Sequence, residues 1–134
     1  MSPRKQSPPK HEPTKGLYGW ITHTDVASRD PAATRAWCIK VLGWMFQPVM
    51  PMPEGGEYHL FAYSEKGGGG IGLATPPVEP GTIPYVHVKD AKAAFDLAIR
   101  EGAESMQAPT RVMEGVTIAL VRAPGGVPIG FSGP

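Results

Sequence analysis

A single cysteine, Cys38, stands in 134 residues. That scarcity excludes an internal disulfide framework and any zinc site built from several thiolates, and it fits a reducing cytoplasm. An excess of charge is missing too: 13 basic residues face 12 acidic ones, for a net charge of +1. A dedicated nucleic-acid binder usually carries a clear basic surplus, so none is expected as partner. No apolar run approaches the length needed to span a bilayer, which leaves no membrane role to expect. The basic residues near the start are not followed by the apolar stretch of a secretory signal. What remains, 41% hydrophobic and 19% charged residues, is the composition of a globular domain with its own core.

Glycine and proline, by contrast, are abundant: 17 and 16 residues, together about a quarter of the chain and near the level where disorder begins. Part of the excess is local. "MSPRKQSPPKHEPTK" offers only Met1 to a core, so residues 1–15 are expected to be a disordered tail, with Arg4, Lys5, Lys10 and Lys15 as its cations. The other glycines and prolines punctuate short elements, as a many-stranded fold requires.

From residue 16 onward an order of elements can be read. "YGWITHTDVAS" is rich in β-branched and aromatic residues and predicts a strand. A helix follows, with Asp30 as N-cap, Pro31 at its first position, Ala33, Trp37 and Val41 at helical spacing, and Gly43 as its stop. Three strand-like segments come next, "MFQPVMPM", "EYHLFAYS" and "GIGLATP", with "PEGG" and "EKGGGG" as the connections between them. The glycine run lacks the lysine and the serine or threonine of a phosphate loop, and it is read as a flexible hairpin connection.

The order then repeats. "TIPYVHVK" predicts a strand, Asp90 caps "AKAAFDLAIREGA", and "ESMQAPTRVM", "VTIALVRAP" and "VPIGFSGP" supply three further strands. Two capping aspartates sixty positions apart, each after a strand and before a helix, mark an internal duplication. The expected fold is α+β: two tandem βαβββ units, residues 16–80 and 81–134, forming curved sheets around a cleft. A concave apolar cleft is the usual place for a small molecule.

"THTDVASRDPAATRAWCIKVLGW", "PYVHVKDAKAAFDLAIREGA" and "APGGVPIGF" resemble the vicinal oxygen chelate superfamily, which includes glyoxalase I, extradiol dioxygenases, methylmalonyl-CoA epimerase and bleomycin-resistance proteins. The resemblance extends over residues 16–134 and implies a homodimer. It also implies a divalent ion held by one residue from the first and one from the last strand of each unit, because such an ion grips two oxygens of a substrate. Carried over, those positions fall on His23, Gly72, Pro84 and Gly130. Glycine and proline have no side-chain donor, so no cofactor is expected; a rearranged His23–Asp25–His59 metal site is the alternative.

Without an ion, His23 is the candidate acid or base, since an imidazole exchanges protons near neutral pH. Asp25 sits two residues on, where it can orient or charge the ring. Trp44, Phe46, Tyr58, His59 and Tyr85 are candidate ligand-binding residues, with hydrogen-bonded strand histidines as the plainer reading of His59 and His87. Cys38, inside the helix, reads as a small buried hydrophobe. Three functions follow. A metal-free glyoxalase-related enzyme of lyase or isomerase type comes first, then a non-catalytic binder of antibiotic-like molecules, then a metalloenzyme with rearranged ligands.

Overall fold

The computed structural model describes residues 16–52, 55–76 and 78–134, so the expectation for residues 1–15 lies outside the described residues. The fold class is α+β, with nine strands and two α-helices among the described residues. None of those helices is long and apolar enough to cross a membrane.

The chain divides into two compact units. One is Asp25–Thr82; the other combines the stretch ending at Thr24 with Ile83–Pro134. The division falls inside the first strand, β1 (Ile21–Ser28), whose start belongs to one unit and whose end belongs to the other.

In the unit Asp25–Thr82, β1 leads into α1 (Pro31–Trp37). Its first turn forms because Asp30 accepts a hydrogen bond from the Ala33 amide and Pro31 lacks the N–H that would otherwise go unpaired there. A π-helical turn over Cys38–Leu42 extends it and ends at Gly43, whose φ of 69° is the left-handed conformation that stops a helix cheaply. Pro48 lies in the gap of the expected strand "MFQPVMPM", which becomes two short pieces, β2 (Met45–Phe46) and β3 (Met50–Pro51). Next come β4 (Glu57–Ser64) and β5 (Gly67–Leu73). Hydrogen-bonded neighbours run β2-β4-β5-β1, with β3 also on β4.

Two expectations are corrected here. The glycines of "EKGGGG" are not a loop: Gly67–Gly70 open strand β5, paired with β4, and the turn is confined to Glu65 and Lys66. The spacing of Trp37 and Val41 also misleads, because both are more than half exposed. Cys38 faces inward instead, packing with Phe61 and Ile71 against Val26, Trp44 and Phe46. The inner side of α1 is held by polar contacts: Ser28 Oγ lies 2.6 Å from Thr34 Oγ1, and Arg35 reaches the Gln47 carbonyl at 3.1 Å.

The second unit repeats the pattern with β6 (Gly81–His87), α2 (Ala91–Arg100), β7 (Glu104–Met113), β8 (Val116–Ala123) and β9 (Val127–Gly133). Asp90 caps α2 by accepting from the Ala93 amide, and the buried Ala91 starts it. Neighbours run β7-β8-β9-β6, the same first-to-last pairing as β1 with β5, and β6 and β9 are parallel. A strand, a crossover helix and a return beside the starting strand thus occur twice. The start of the chain joins this unit through bonds from the Gly19 amide to the His87 carbonyl and from the His87 amide to the Trp20 carbonyl.

Candidate functional site

Side chains alternate across a strand, so Val26 and Ser28, which meet α1, fix the orientation of β1. His23, Asp25 and Ala27 then share the face turned away from that helix. On β4 the same rule separates Tyr58 from His59, and their contacts confirm it.

Tyr58 lies across β5. It is the register partner of Gly72, since His59 pairs with Ile71. A Cβ on Gly70 would run into the Tyr58 ring, and one on Gly72 would come within 3.3 Å of it. With only backbone beneath it, the ring crosses the glycine strand and its hydroxyl donates to Asp25 Oδ1 at 2.7 Å. Both residues are half-buried. Among the described residues, no lysine, arginine or histidine nitrogen lies within ion-pairing distance of the Asp25 carboxylate.

The other unit holds a related arrangement. Tyr85 is the register partner of Gly130 on the parallel strand β9. A Cβ on Gly130 would collide with the Tyr85 ring. That buried ring also meets His23 edge to face, with centroids 5.6 Å apart and planes at 88°. Because Tyr85 accompanies His23, Pro84 belongs to the opposite face of β6, and His87 falls on the same face as Tyr85. Its ring is buried and stacks on Tyr18 at 5.2 Å, with Lys89 Nζ 5.3 Å over the tyrosine.

Trp44, Phe46 and His59 are on the α1 side of their unit. Trp44 stacks on Phe61 at 4.4 Å, and Phe46 tilts against the same ring at 5.5 Å. His59 is almost wholly buried, with Nδ1 3.3 Å from Arg35 Nη1, while the Arg35 guanidinium lies 5.0 Å above Phe46. A guanidinium only donates, so His59 Nδ1 is the acceptor in this contact. Among the described residues His59 Nε2 has no hydrogen-bond partner; the Glu57 carboxylate is 3.9 Å away. Arg35 organises this cluster and was not among the expected residues. An arginine within a helix looks solvent-bound until the strand it reaches is known. Burial pushes the Cys38 thiol up, as expected for an inert cysteine.

The residues present do not fit the divalent ion that the fold's metal-using members would hold. Gly72 and Gly130 bring no donor, a tyrosine ring fills the space before each, and Pro84 faces away from His23. The rearranged set fails as well. His59 and Asp25 lie on opposite faces of their sheet, and no three His, Cys, Asp or Glu side chains converge among the described residues.

No protein-family model matches the chain, and no curated protein matches it. Solved structures do. Methylmalonyl-CoA epimerase from Mycobacterium tuberculosis superposes with a TM-score of 0.66 at 18% identity, covering 92% of this chain and 93% of that one. The Streptomyces coelicolor epimerase in complex with 2-nitronate-propionyl-CoA gives 0.63 at 17%, covering 87% and 97%. A glyoxalase/bleomycin resistance protein/dioxygenase superfamily member from Vibrio splendidus 12B01 gives 0.58 at 16%, covering 81% and 93%. At these identities the likeness shows a shared fold.

Proposed function

We propose that this chain acts on a small organic molecule by proton transfer without a divalent ion. His23 is the acid or base, and Asp25 follows it two residues along β1. The observation that carries the reading is the Tyr85 ring, set perpendicular to the His23 ring and occupying the space a side chain on Gly130 would take. An aromatic wall stands beside the imidazole where the fold's metal-using members would bring a carboxylate. A perpendicular ring contact restrains the imidazole against an apolar wall.

Deuterium exchange into carbon acids tests this. A panel of aminoketones, hydroxyketones and uncharged acyl thioesters is incubated with the protein in heavy water and followed by proton NMR. Exchange is expected to survive EDTA and to disappear in His23→Ala. Loss with EDTA and recovery with a divalent ion would overturn the reading.

A second reading is favoured by the Asp25–Tyr58 pair, which is a binding geometry more than a reacting one. The protein would then sequester its ligand unchanged. Saturable one-to-one binding with no product after long incubation distinguishes that case.

A further inference from the structure

We propose that the Asp25–Tyr58 pair is a binding site for an organic cation, an ammonium or amidinium group carried on a flat apolar body. This deepens the function proposed above, and rests on it, by assigning the small molecule a charge.

The argument begins with an unbalanced charge. Asp25 is half-buried and, among the described residues, accepts one hydrogen bond, from the Tyr58 hydroxyl to Oδ1. Among the described residues no cationic side chain comes within ion-pairing distance of it. Removing a carboxylate from water without a counter-charge is costly, and a single neutral donor offsets only part of that cost. Arg35, whose guanidinium reaches under α1, is committed on the other face to Gln47, His59 and Phe46.

The tyrosine supplies the second element of recognition. Its ring is seated on bare backbone because β5 has glycine at positions 70 and 72, and the hydroxyl bond to Asp25 fixes its orientation. A fixed aromatic ring beside a carboxylate attracts a cation twice, through the charge and through the ring quadrupole. A planar amidinium also matches both carboxylate oxygens, a geometry no anion can use. A ligand carboxylate placed here would meet a like charge.

Isothermal titration of the full chain with benzamidinium chloride, and with sodium benzoate as an anion of similar size and shape at equal ionic strength, tests the site. Benzamidinium is expected to bind saturably and benzoate not at all. Asp25→Asn should weaken benzamidinium at least tenfold, and Tyr58→Leu about fivefold, the order expected for a cation–π contact. Circular dichroism establishes that each variant is folded. Should Asp25→Asn not fold, the contrast between benzamidinium and benzoate on the native chain decides.

Equal binding of both probes, no saturable benzamidinium binding at 10 mM, set as roughly the limit of a weak specific site, or undiminished binding by folded Asp25→Asn would overturn the proposal. The two readings fail separately. Cation binding without deuterium exchange leaves this site and removes catalysis, whereas exchange without cation binding does the reverse.

Discussion

The ring of Tyr85 occupies the space into which a side chain on Gly130 would project, its register partner on the neighbouring parallel strand. The glycine is therefore required by its neighbour and not by its own backbone. Gly130→Ala is expected to lower stability by about 1–3 kcal/mol through overpacking. Placed together with Tyr85→Ala, the same change should cost much less, because the colliding ring is gone. Urea denaturation of the two single variants and the double variant measures the coupling. Additive losses would show that the ring and the glycine are independent.

Arg35 is held by the Gln47 carbonyl between β2 and β3, the His59 imidazole on β4 and the Phe46 ring on β2. Arg35→Met keeps much of the aliphatic stem but leaves the Gln47 carbonyl and His59 Nδ1 without their donor. A loss of about 1–3 kcal/mol is expected, the usual cost of orphaning buried polar groups. Thermal and chemical unfolding read it directly, and an unchanged midpoint would mean that water replaces the guanidinium at no cost.

Cys38 provides a pH dependence. Its thiol is pushed up by burial, so the folded protein keeps it protonated at a pH where the unfolded chain already ionises. The folded state then binds more protons, and this contribution to stability is present at neutral pH and is lost as pH rises through the alkaline thiol range. Cys38→Ala should flatten that alkaline decline. Native protein should also react with a thiol reagent far more slowly than urea-unfolded protein, as absorbance shows.

Trp37 spends its aromatic surface on solvent, being 56% exposed. Trp37→Ser should move the unfolding free energy by no more than about 0.5 kcal/mol, as for surface positions generally. A much larger loss in dilute solution would mean that another surface covers this residue.

The sequence by itself determined the elements and their duplication. Asp30 with Pro31, Asp90, Gly43 and the strand-like run "EYHLFAYS" act within a few residues, where caps and extended segments are decided locally, and the structure has α1, α2 and β4 where those signals place them. It also showed that Gly72 and Gly130 offer no donor. Only the tertiary structure decided which face each element turns inward. Trp37 and Val41 have the spacing of a buried stripe, yet Cys38 and Arg35 face the strands, because packing depends on what lies opposite. The glycines of β5 read as a loop for a related reason. A glycine strand gains its stability from a ring laid across it by another strand, and Tyr58 does that only once β4 and β5 are in register. The bond from Tyr58 to Asp25 joins residues 33 positions apart, a distance that no local pattern can signal.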